Sequence, residues 1–164
     1  MARQSHPLFS EATDAGLLGS TAVAVWFLVR DLLSGRPLRT PSVLGQLFLL
    51  GQPHPDLDRI DFAAVVLYTA THFILFLLFA ALVTLLVRLA VENAVARFGL
   101  LVLFVVFEFC FYVIVNVAST EVSALFPLWT VAGANLVAAG AMGAYYRRHY
   151  PDLSQALREE PLGA

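Results

Sequence analysis

The chain has 164 residues, of which 59% are hydrophobic and 13% charged, with a formal net charge of -2. Soluble domains carry about 25% charged residues, so the composition excludes an ordinary soluble globule and describes one membrane domain spanning 1–164. The net charge argues against nucleic acid as a partner, and the single cysteine, Cys110, allows neither an intramolecular disulfide nor a thiol metal cluster.

The opening MARQSHPLFSEATDAG has no basic stretch leading into an apolar core and no A-x-A site, so no cleaved signal peptide is expected. No cysteine lies near either end for lipidation. Residues 1–13 are polar and are expected to lie loose or along the interface. Helix one is predicted over about 16–33, capped by Thr13 or Asp14. Its first half holds Gly16, Gly19, Ser20, Thr21, Ala22 and Ala24, small residues that let a neighbouring helix approach closely in lipid. Trp26 is too deep for an interfacial belt, so its indole N–H is expected to face a partner helix. Arg30 and Asp31 mark the exit, where Arg30 is expected to snorkel.

The long connection that follows opens with turn signals, SGRP and LRTP. Thr40 and Pro41 read as N-cap and first residue of a short helix over about 41–50. At about ten residues this apolar run is too short to span, which predicts an interfacial or re-entrant helix between helices one and two. His54, with Asp56 and Asp58, is weighed as a metal contact. Weak ligands in a flexible loop make a poor site, so the solvated loop reading is preferred and no metal residue is assigned.

Helix two is predicted over about 62–87, with Asp61 at its positive N-terminal end. Tyr68, Thr69, His72, Leu75, Phe76 and Phe79 share one face by helical spacing. Helix three is predicted over about 98–118. This run of about 21 residues covers roughly 31 Å, one hydrocarbon thickness. Its one charge is Glu108, at the midpoint. The acid costs on the order of 3 kcal/mol on the insertion scale, which roughly fifteen Leu, Ile, Val and Phe residues outweigh. Helix four is predicted over about 124–144, with Pro127 in its first turn, antiparallel to and beside helix three across the short STEVS link. Trp129 at one end and Tyr145, Tyr146 and Tyr150 at the other read as aromatic belts. Ala139/Gly143 and Gly140/Ala144 form small-xxx-small pairs, a packing face within the bundle or against a second copy.

The fold read from these segments is an all-α integral membrane protein, a four-transmembrane-helix bundle with one interfacial helix. In outline it resembles small four-helix bacterial membrane proteins, a likeness of architecture that carries no residue roles. His72, Glu108 and Asn135 fall within about one turn of the same plane on three different helices. They are expected to converge inside the bundle, with Tyr112 and Asn116 one and two turns along from Glu108. Ionisable residues in a membrane are functional candidates by default, while a buried His or Asn commonly serves as interhelical glue.

Enzyme chemistry finds little support. Bis-His haem needs two deep histidines and only His72 qualifies; a di-iron bundle needs about four acids and two Glu-x-x-His pairs. HExxH, GxSxG, P-loop and GxGxxG contexts are absent from the sequence. No catalytic residue is assigned, and no cofactor is specified. The function read is that of a non-enzymatic accessory subunit or self-associating bundle with a polar midplane cluster. The alternative is a carrier or redox-linked protein using a His72/Glu108 pair for a proton, cation, metal or lipophilic ligand. The expected partners are the lipid bilayer and other membrane subunits or a second copy. The expected location is the bacterial inner membrane, multi-pass, with both termini cytoplasmic.

Overall fold

Helix α1, Leu8–Leu33, is the axis of the fold, with α3 packed along one side and α6 along the other. The computed structural model describes residues 8–91, 93–152 and 155, with all their side chains except those of Ala94 and Glu108. The remaining helices are α2 (Arg39–Phe48), α3 (Phe62–Ala90), α4 (Ala94–Ala118), α5 (Thr120–Ser123) and α6 (Leu128–His149). The described residues contain no strand. Three helices are long and apolar enough to cross a membrane: α1, α3 and the Val95–Ala118 part of α4. At 22 residues α6 is long enough but not apolar enough to join them.

Pairings between helix ends give the direction of each long helix. Glu11 near the start of α1 meets Arg88 near the end of α3, and Tyr150, just past α6, reaches the same carboxylate. At the opposite end Trp26 of α1 donates its indole N–H to the Thr130 carbonyl of α6, 3.1 Å away. This is the partner-helix contact expected for a deep tryptophan. On the other flank Phe107 of α4 packs against Phe76 and Phe79 of α3, with ring centroids 6.3 and 4.5 Å apart. Ala96 and Leu100 of α4 lie with the Val87, Ala90 and Tyr146 cluster and Val115 with the Val23, Phe27 and Phe126 cluster, so the long helices run alternately up and down and the described residues begin and end at the same end.

Small residues make these crossings close. In lipid, helices associate through van der Waals contact rather than expulsion of water, so the closeness of backbones decides the attraction. A Cβ at Gly16 would stand 3.1 Å from the Leu77 Cα of α3, and one at Gly19 would stand 2.7 Å from the Met142 sulfur of α6. Gly45 meets backbone instead of a flexible side chain: a Cβ there would lie 2.7 Å from the carbonyl carbon of Ala64, so α2 rests directly on the α3 backbone.

Several boundaries differ from the sequence reading. Residues 8–13 are already helical, because Glu11 and Ala12 are buried against the other helices. Thr13 and Asp14 cap nothing: the Thr13 hydroxyl donates to the Phe9 carbonyl, and Asp14 accepts from Tyr145. Residues 1–7 lie outside the described ones. Helix α4 starts at Ala94, where the Asn93 side chain accepts the Val95 N–H. Asp61, expected at the positive N-terminal end of α3, is its N-cap residue, and its side chain accepts from the Ala63 and Ala64 N–H groups.

Helix α6 starts at Leu128, not near 124. Residues 124–126 close a turn that drives Phe126 into the core, and Pro127 follows in extended conformation as N-cap. Despite the short link, α6 touches α4 only lightly and packs chiefly on α1. The reason lies at its first turn, where Trp26 and Arg30 of α1 both donate to carbonyls around Phe126.

The Gly45 contact yields a test. Gly45→Ala must push α2 off α3 and should cost about 1–3 kcal/mol, the range for overpacking. Gly99→Ala, where a Cβ meets nothing within 4 Å, should be neutral or mildly stabilising. Thermal unfolding in detergent reads both; equal midpoints would show that the α2–α3 contact yields without cost.

Candidate functional site

The chain turns after α1 around one carboxylate. Asp31 is 3% exposed. The Thr40 backbone N–H donates to its Oδ2 at 2.7 Å and the Thr40 hydroxyl to its Oδ1 at 2.8 Å. The N-cap residue of α2 is Leu38, in the left-handed region at φ 64°, with no side-chain group to cap the helix. Asp31, from the preceding helix, takes over that role. Thr40 thus stands inside α2 as a donor and not at its N-cap. The Asp31 carbonyl also accepts the Arg36 N–H at 2.9 Å, which tightens the turn.

The polar interior of α2 holds the next loop. Ser42 Oγ accepts the Asp61 N–H at 2.9 Å and a Gln46 amide N–H at 3.0 Å. Gln46 Oε1 accepts the Asp56 N–H at 2.8 Å. The Asp56 carboxylate accepts from the Asp58 and Arg59 N–H groups, which holds its pKa below the usual carboxylate range. His54 lies 3.5 Å from Glu121 of α5, and Asp58 pairs with Arg36. No group of three or more His, Cys, Asp or Glu among the described residues is placed to hold a metal.

Between α1, α2 and α3 these contacts leave a groove of about 210 Å³. Val23, Ala24, Phe27 and Leu28 of α1 form one wall, and Tyr68, Thr69 and His72 of α3 form the other. Asp31, Leu38, Thr40 and Pro41 close the end nearest α2. Along α1 the groove covers residues 23 to 31, about 12 Å. Ala24, Leu28 and Thr69 are exposed at the bundle flank, so it opens sideways. Counting along α3 from Phe62, Tyr68 lies about 9 Å and His72 about 15 Å in, so the groove reaches from the α2 level toward mid-span.

His72 Nε2 is 3.2 Å from the Ser20 carbonyl of α1. A carbonyl only accepts, so Nε2 is the protonated nitrogen, and in the neutral ring Nδ1 is left as an acceptor. The ring stacks on Tyr68 at 6.0 Å and tilts against Phe76 at 4.8 Å.

A second polar cluster closes the opposite end. Arg88 donates to Glu11 Oε2 at 2.9 Å and to the Tyr150 hydroxyl at 3.0 Å, and Tyr150 donates to the same carboxylate oxygen. One turn inward, Thr84 and Tyr146 share a hydrogen bond of 2.8 Å. Tyr146 and Tyr150, read from sequence as belt residues, thus hold helix ends together.

The other residues read as a midplane cluster sit as follows. Glu108 falls in the middle of α4, and its side chain lies outside the described ones. Tyr112 and Asn116 are half-buried on α4, where the Asn116 amide donates to the Tyr112 carbonyl within the helix. Asn135 is half-buried on α6. Ala139 is half-buried, whereas Gly140, Gly143 and Ala144 are exposed. The face of α6 turned inward is instead Thr130, Val131, Ala134, Ala138, Met142 and Tyr146. Arg30, expected to snorkel, donates to the Leu125 carbonyl and stands 6.0 Å from the Phe126 ring. Asp31, Glu11 and Arg88 carry no functional signal in the sequence, because each lies near a helix end, where a charge ordinarily needs only water.

No protein-family model, curated protein or solved structure matches the chain.

Asp31→Ala should leave the Thr40 N–H and hydroxyl unpaired and cost about 1–3 kcal/mol. Thr40→Val added to it should cost much less than Thr40→Val alone, since the shared partner is already gone. Thermal midpoints for the four proteins of this cycle measure the coupling; additive losses would mean that the pair does not hold α2.

Proposed function

We propose that the chain is a four-span inner-membrane protein that acts by association, as a non-enzymatic accessory subunit or a self-associating bundle. The observation that carries this reading is the outward face of α6. Among the described residues a Cβ at Gly140 or Gly143 meets nothing within 4 Å, so this small-residue face is open to them. Small residues weaken a helix's packing against lipid and strengthen it against another helix, whose backbone they admit. Helix α4 supports the same reading: it buries Val115 alone among its described side chains.

As a fourth span, α6 lies along α1 and returns the chain to the end where it began. With four spans, the termini and the 88–97 link would together carry Arg3, Arg88, Arg97, Arg147, Arg148 and Arg158 on one side, against Arg30, Arg36, Arg39 and Arg59 on the other. By the positive-inside rule this excess of six arginines over four supports a cytoplasmic side for both termini.

Two experiments test this. Gly143→Leu has room within the chain, so it should leave the monomer's unfolding midpoint unchanged while reducing assembly in native mass spectrometry. Wild-type protein that is monomeric and without partners, or assembly untouched by Gly143→Leu, would refute the association. For topology, a C-terminal fluorescent reporter that folds only in the cytoplasm should fluoresce, and an exported phosphatase placed at residue 53 should be active. The reverse pattern would overturn the orientation.

A further inference from the structure

The groove between α1, α2 and α3 combines three properties. Its walls are apolar, it opens sideways through exposed Ala24, Leu28 and Thr69, and it presents hydrogen-bonding groups at hydrocarbon depth. The Tyr68 hydroxyl has no hydrogen bond among the described residues. His72 uses Nε2 on Ser20 and has Nδ1 left as an acceptor. In lipid no water supplies the missing partners, so each unmatched group is costly there. One donor and one acceptor on neighbouring turns of α3 call for a ligand that brings an acceptor and a donor of its own.

The chemistry of that ligand is constrained further. A group hydrogen-bonded to both Tyr68 and His72 lies within hydrocarbon and must be uncharged, because an ion there would carry a heavy desolvation cost. It must be small: drug-sized pockets run to about 300–1,000 Å³, and this groove falls below that range at about 210 Å³. It should be flat, because Phe27, Tyr68 and His72 line the cavity with ring surfaces. It must also reach the groove from the bilayer, since the opening is lateral.

We infer that the groove binds the head ring of a lipid-soluble hydroquinone, with its hydrocarbon tail leaving between α1 and α3 into the membrane. One ring hydroxyl accepts from the Tyr68 O–H and donates to His72 Nδ1. The Asp31–Thr40 pair, already satisfied within itself, bounds the ring at the α2 end. The inference concerns binding alone and does not depend on the association proposed above.

The test uses decylubiquinol and, as apolar control, dodecane, added to purified full-length protein in detergent, with binding followed by native mass spectrometry and thermal shift. Wild type should retain one decylubiquinol per chain and rise in midpoint, and dodecane should do neither. Tyr68→Phe and His72→Phe keep a ring but lose the donor or the acceptor, and each should weaken binding about tenfold. Ala24→Trp fills the groove from its exposed side and should abolish binding, with helicity by circular dichroism confirming an intact fold. Equal retention of dodecane, or undiminished binding in all three variants, would overturn the site. Should His72→Phe fail to fold, because Ser20 loses its partner, Tyr68→Phe still decides, since Tyr68 makes no hydrogen bond whose loss could unfold the chain.

Discussion

A single buried carboxylate shapes the half of the molecule that faces away from the termini. Asp31 receives both donors of Thr40, which starts α2 in a place where its own N-cap residue has no capping group. With α2 held there, Gly45 comes to rest on Ala64, and Ser42 and Gln46 gather the backbone of the following loop. That loop delivers Asp61 to cap α3. The start of α3, the level of Tyr68 and His72 and the closed end of the groove all follow from that turn. A carboxylate with two matched donors is worth more in a low-dielectric setting than in water, and an unmatched one there would be costly.

The opposite end is tied by different means. Glu11, Arg88 and Tyr150 form a charged cluster that joins the start of α1, the end of α3 and the end of α6. Between these two ends the bundle relies on the smooth face of α1, where Gly16 and Gly19 admit Leu77 and Met142. The arrangement suits a solvent in which hydrocarbon outside is as apolar as the side chains inside. Polar clamps near the interfaces set register, and close backbone contact holds the middle. Helix α4 takes little part in either, and is the least committed element of the fold.

The polar residues most legible in the sequence were those deep in apolar runs, where any polar group stands out. His72 stands out for that reason, and it does line the groove, though its hydrogen bond runs to α1 and the Ser20 carbonyl. Backbone carbonyls carry no sequence signal, so that partner had no way to be read beforehand. Asp31 and Thr40 are nine residues apart, next to turn signals, and look like an ordinary exit and cap. Their burial depends on α2 folding back onto the bundle. The small residues of α6 show the same limit: spacing marks Ala139, Gly140, Gly143 and Ala144 as one face, but rotation about the helix axis decides where that face points.

Hydropathy and run length by themselves determined that this chain is helical and belongs in a membrane, because a bilayer demands long apolar stretches with internally paired backbones. They also determined the short helix between the first two long ones, since ten residues cannot cross. A carboxylate at the helix's positive end marked the start of α3 at Asp61. Tertiary structure alone decided that α6 packs chiefly on α1 and only lightly on α4, that α1 is the axis, and that a groove opens beside His72. Each of these turns on which faces meet, and in lipid every apolar face is equally content. The choice is made by a few contacts distant in sequence: Trp26 on Thr130, Glu11 on Arg88 and Tyr150, and Gly45 on Ala64.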